Sequence, residues 1–195
     1  VPKNWRMYFT ANIGRKHKVF SVAEALASRA EGKVMEIDYP PDKEEMNIGL
    51  AALSDAEGNF LRSTDDLAKL YYTVHDFFPA VRKYIIDKPV SIPVSFRTLR
   101  NLGEKLVLYE DPKTGKPVYR ATDKSYDEAL YEIMVESYSL YEDRNIPEQI
   151  VREGINVGLF LNPSVEERVI KWIGKEDFDT AKAKHASIKE DYKDI

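Results

Sequence analysis

The chain has 195 residues, 43% hydrophobic, 32% charged and 11% aromatic, with a formal net charge of −4. This composition excludes disordered and collagen-like classes, and the length predicts one domain with a sizeable core. No cysteine is present, which excludes disulfides, thiolate catalysis and cysteine-held zinc or iron–sulfur centres.

Charge is unevenly spread. Residues 1–33 set Lys3, Arg6, Arg15, Lys16, Lys18, Arg29 and Lys33 against Glu24 and Glu31, a balance of +5, so the remainder carries −9. Residues 1–20 hold no acid and interleave Trp5, Tyr8, Phe9 and Phe20 with the bases and with His17. Cations neutralise phosphates while rings pack on bases and sugars, so this pattern predicts an extended basic arm directed at a polyanion. The same rings could instead anchor the segment on a core.

Beyond the arm, Ser21 and Glu24 have capping-box spacing, and a helix is expected from Ser21 to the stop at Gly32. The alternating KVMEIDY of residues 33–39 predicts a short edge strand that Pro40 and Pro41 end. Asp42 is placed as the cap of a second helix reaching about Ala56, and Gly58 breaks that pattern. Ser63 caps a third, whose stripe of Leu67, Leu70, Tyr71, Val74 and Phe78 faces the core, with Pro79 marking a kink before Ile86.

Residues 88–93 hold two prolines and read as an extended connector. A short helix over 95–102 precedes strands at 106–109 and 118–121, joined through Asp111-Pro112-Lys113-Thr114-Gly115 as a β-hairpin. Ser125 and Glu128 repeat the capping-box spacing at the head of a long helix with Leu130, Ile133, Met134, Tyr138 and Tyr141 on one face. A helix over about 147–161 follows, then another that Asn162-Pro163 starts and Gly174 stops. In the last segment Phe178, Ala181, His185, Ile188 and Tyr192 recur at heptad spacing, which predicts either an oligomer contact or docking on the chain's own body.

The expected architecture is therefore mainly α: a multi-helix body over 21–174 with one hairpin near 105–121 and a short edge strand. A basic arm over 1–20 precedes it and an amphipathic helix over 175–195 follows it. Apolar runs such as residues 157–161 fall far short of the roughly 20 apolar residues that cross a bilayer. The basic start also lacks the apolar stretch of roughly 7–15 residues in a secretory signal. No transmembrane segment is expected, and the chain is placed inside a cell or a virus particle. Its single glutamine, Gln149, among many Lys and Glu is the balance of proteins that work hot.

Catalytic patterns are wanting. His17, His75 and His185 have no metal-ligand spacing, no Gly-rich phosphate loop occurs, and no Gly-x-Ser-x-Gly is present. No catalytic residue, metal or cofactor is assigned. His75-Asp76 reads as a local surface contact, and Arg97 with Arg100 as ion-pair partners of nearby acids.

The expected function is a structural subunit of a thermostable assembly of nucleoprotein or virus-particle type, built from copies of this chain or a related subunit. It grips the nucleic-acid backbone through Lys3, Trp5, Arg6, Tyr8, Arg15, Lys16, His17, Lys18, Arg29 and Lys33, largely independent of sequence. The rivals are an intracellular enzyme or accessory domain with a cleft between its halves, and an arm that lies on a membrane surface.

Overall fold

A computed structural model describes residues 40–85, 94, 96–111, 113–139 and 144–191, with side chains up to 186. The chain divides after Asp38, and the described residues all belong to the unit Tyr39–Ile195. The basic arm, the helix expected over 21–32, the edge strand over 33–39 and the connector over 88–93 lie outside the described residues.

The described unit is mainly α with one two-stranded antiparallel sheet. Its first helix, α1 (Asp42–Ala52), starts at Pro41 without a side-chain cap. Asp42 is its first helical residue and pairs with His75 at 3.4 Å, so it supports the helix through charge and not as a cap. The helix ends four residues before the expected Ala56, because Asp55 gathers the backbone N–H groups of Glu57 and Asn59 into a turn and Ser54 bridges to Phe60.

Ser63 does cap the next helix, its hydroxyl accepting from Asp66 N. That helix runs as α2 (Thr64–Tyr72), a wide π-type turn (Thr73–Phe77) and α3 (Phe78–Ile85). The wide turn carries an extra residue and shifts the inward face. Leu70, Val74 and Phe78 are buried as expected, but Phe77 joins them and Tyr71 is left half-exposed, tilted against His75 with ring centroids 4.2 Å apart. Pro79, which lacks the N–H for a regular helical bond, follows directly.

The helix expected over 95–102 is longer: α4 (Phe96–Leu106) leads straight into β1 (Val107–Glu110), which pairs with β2 (Pro117–Ala121) as the predicted hairpin. Leu99, Leu102 and Leu106 bury its inner face. Ser125 caps α5 (Tyr126–Tyr131), accepting from Glu128 N as the capping-box spacing requires. This helix also passes through a wide turn (Glu132–Glu136) before α6 (Ser137–Ser139).

The remaining helices are α7 (Asn145–Asn156), α8 (Glu166–Ile173) and α9 (Lys175–Asp191). Helix α7 is shorter than expected, since its chain turns at Val157 and Gly158. Gly174 ends α8 at φ 86°, a conformation that glycine adopts without steric cost. Close approach matters at Gly154: a side chain there would strike the ring of Phe160, which packs edge-on against Phe77 and Tyr131 at 5.6 and 5.8 Å. These rings, with Leu70, Val74, Leu130, Met134, Ile150 and Val169, form a continuous core. Each fully buried Leu or Phe contributes roughly 1.5–3 kcal/mol.

Candidate functional site

Two buried ion pairs fix the frame around which a site is built. On α1, Glu45 is fully buried and held by Arg82 of α3, whose Nη1 lies 2.9 Å from the carboxylate. Arg82 also donates to Val94 O at 2.9 Å and lies over the Phe78 ring, so the charge is enclosed by partners. On α5, Asp127 accepts from Lys69 Nζ at 3.3 Å and from Asn162 N at 3.0 Å, tying α2 to the segment before α8.

Burial pushes the Asp127 carboxyl above its ordinary value, and Lys69 offsets this only in part. Burial would lower Lys69, yet Asp127 and Asp65 outweigh it and hold the ammonium above its usual range. Beside them, Tyr126 is wholly buried and donates its hydroxyl to Thr73 Oγ1 at 2.9 Å, while Thr73 donates to Lys69 O at 2.7 Å. Asp127 Oδ2 takes both donors, Lys69 Nζ and Asn162 N, while its buried Oδ1 has no hydrogen-bond partner among the described residues, and the group as a whole ties helices together.

The surface offers a different arrangement. Tyr131, Arg144, Arg168, Lys171 and Trp172 line an open cavity of about 330 Å³. Arg168, Lys171 and Trp172 stand three and four apart on α8 and so share one face. Arg144 immediately precedes α7, and Tyr131 is the last residue of α5. Tyr131 is buried, and its hydroxyl accepts from Trp172 Nε1 at 2.9 Å and lies 3.4 Å from Arg168 O. Burial keeps that phenol above its ordinary pKa, so it remains protonated at neutral pH.

The cations of the cavity are not equivalent. Arg168 lies 5.2 Å over the Tyr131 ring and is paired with Glu136 at 3.2 Å and Glu128 at 3.6 Å. Its charge is largely engaged. Arg144 and Lys171 are exposed, and neither has an ion pair among the described residues. The cavity thus combines two available positive charges with fixed aromatic surface.

Among the sequence-derived candidates, Lys3, Trp5, Arg6, Tyr8, Arg15, Lys16, His17, Lys18, Arg29 and Lys33 lie outside the described residues. Phe178 is completely buried in its own unit, with Lys175 and Lys182 over its ring, and Ala181 packs at the edge of the core. His185 rests against Gly158. The first part of the heptad stripe therefore docks on the chain's own body. The Ile188 side chain and Tyr192 lie outside the described residues. His75 pairs with Asp42 rather than its neighbour Asp76, and Arg100 with Glu104 at 3.0 Å.

Among the described residues no cluster of three or more His, Asp or Glu side chains is arranged to hold a metal, and no helix is long and apolar enough to cross a membrane. Sequence reasoning missed the cavity; the only local signal was the spacing of Arg168, Lys171 and Trp172. Comparison with protein-family models, curated proteins and solved structures finds no match to the chain.

Proposed function

We propose that this protein is a structural subunit of a nucleoprotein or virus-particle assembly that holds the nucleic-acid backbone through its basic N-terminal segment. The observation that carries this reading is charge segregation: +5 over residues 1–33 against −9 over the rest. The geometry of the body supports it, because many of the body's cations are already spent on its own acids. Lys105 and Lys124 share Glu132, Lys175 and Lys182 share Glu166, and Arg152 bridges Glu148 and Asp177. In the N-terminal segment the bases outnumber the acids, and Lys3, Arg6, Arg15, Lys16 and Lys18 would neutralise phosphates.

Assembly with other copies or a related subunit completes the reading. Tyr71, Tyr72 and Phe96 expose large rings on the body, and such rings are enriched at protein contacts. The test is binding of the full chain to duplex DNA, single-stranded DNA and RNA of mixed sequence, by fluorescence anisotropy over a range of salt. Affinity should fall steeply with salt and differ little between sequences. Replacing Arg15, Lys16 and Lys18 together by Gln should reduce the log–log salt slope by about 3. Absent binding, or binding that ignores salt, would overturn the proposal.

A further inference from the structure

We infer that the cavity between α8 and the start of α7 is a binding site for one nucleotide unit, with its phosphate held by Arg144 and Lys171 and its base laid against Trp172. Three observations converge on that chemistry. First, Arg144 and Lys171 are exposed cations without ion pairs among the described residues, whereas the third cation, Arg168, is held by Glu136 and Glu128. An arriving anion therefore meets two charges that no acid among the described residues has to release.

Second, the wall is aromatic and fixed. The indole N–H of Trp172 is consumed by Tyr131 Oη at 2.9 Å, so what Trp172 offers a ligand is ring surface. Arg168 over Tyr131 extends that surface with a planar guanidinium. Nucleobases stack on such surfaces without regard to sequence. A bare inorganic anion would leave this wall unused.

Third, the volume of about 330 Å³ lies at the lower end of the roughly 300–1,000 Å³ typical of small-ligand sites. It suits one nucleotide unit and no longer stretch of chain. The unit can come from a free mononucleotide or from a nucleic-acid strand. The second source rests on the function proposed above; the phosphate-and-ring chemistry does not.

The chain has two tryptophans, Trp5 and Trp172, so Trp5→Phe in the full chain leaves Trp172 as the only indole reporter. This protein is titrated with adenosine monophosphate, inorganic phosphate and adenosine, and its emission is followed. Adenosine monophosphate should change the signal saturably, and phosphate or adenosine alone should bind at least about tenfold more weakly. Arg144→Ala with Lys171→Ala should weaken the nucleotide by about tenfold or more while the circular dichroism spectrum and thermal midpoint stay unchanged.

The site is overturned by no saturable change up to about 10 mM nucleotide, by an undiminished response in the double variant, or by equal affinity for phosphate and nucleotide. A short oligothymidine added to the chain neutralised at Arg15, Lys16 and Lys18 separates the sources. A response to it supports a strand and a response to the mononucleotide alone supports a free ligand, and either supports the site. Nucleotide binding by a chain that binds no strand would overturn the proposed function and leave the cavity standing.

Discussion

Lys69 Nζ lies 3.3 Å from Asp127 Oδ2 although 58 positions separate them in sequence, and both side chains are almost wholly withdrawn from solvent. The same Asp127 oxygen accepts from Asn162 N, so one carboxylate joins α2, α5 and the approach to α8. Asp127→Ala would leave Lys69 short of its main counter-charge and release the Asn162 backbone. The expected cost is about 3 kcal/mol of unfolding free energy, and Asp127→Asn, which keeps an acceptor, should cost less. Urea denaturation of the two variants checks the order; equal losses would contradict it.

Tyr126 and Thr73 allow a cleaner separation of a hydrogen bond from packing. Thr73→Val keeps the shape but leaves the wholly buried Tyr126 hydroxyl without its acceptor. It should cost about 1–3 kcal/mol, whereas Tyr126→Phe should cost about 1 kcal/mol. The double variant should recover part of the Thr73→Val loss. Strict additivity in thermal or chemical denaturation would show that the bond contributes nothing.

Glu132 sets a pH dependence. Its carboxylate lies 2.6 Å from Lys105 and 2.7 Å from Lys124. Burial acts to raise its pKa, but the two ammonium groups outweigh this and hold it below the ordinary 4.5. The unfolded chain thus takes up the proton first as pH falls. The contribution is complete above the ordinary value and disappears as pH drops through the lowered one. Glu132→Gln should cost about 1 kcal/mol at neutral pH, because water partly screens the group. The difference should shrink as pH falls below the ordinary 4.5, so a constant difference across a pH series of urea melts argues against the pairing.

Gly154 tests how tightly the aromatic core is drawn. A methyl group at this position would collide with Phe160 ring carbons, and the backbone of Phe160 is itself held at φ 62°. Gly154→Ala should cost about 2 kcal/mol. Combining it with Phe160→Leu should give less than the sum of the two losses, since the smaller side chain yields space. Near-ultraviolet circular dichroism should register the displaced rings in the single variant; an unchanged spectrum and midpoint would refute the contact.

Local rules carried much of this fold. Ser63 and Ser125 act at their helix starts because a cap depends on neighbours only three residues away, and the hairpin and the Gly174 stop are equally local. The inward face of the third expected helix was misjudged at Phe77 because the wide turn at Thr73–Phe77 breaks the 3.6-residue period from which the stripe was read, while Tyr71, before the turn, sits at the exposed edge of that stripe. Glu45 stands in the first turn of α1, where an acid is ordinarily exposed; its burial depends on Arg82, 37 positions away. The cavity was hidden for the same reason, since Tyr131 and Arg144 reach it from elements other than α8.

The wide turn at Glu132–Glu136 has a bearing on how this chain tolerates changes in length. A π-type turn is a helix with one residue too many, absorbed within a single loop of backbone so that the elements on either side keep their phase. Met134 and Val135 bury the inner side of that loop, while Glu136 faces solvent. Removing Glu136 would let the backbone close into regular α-helix with Tyr138 still directed inward. The same deletion one turn earlier, among Tyr126–Tyr131, would rotate every buried residue that follows. The segment is the place where this helix can lose a residue without losing its register.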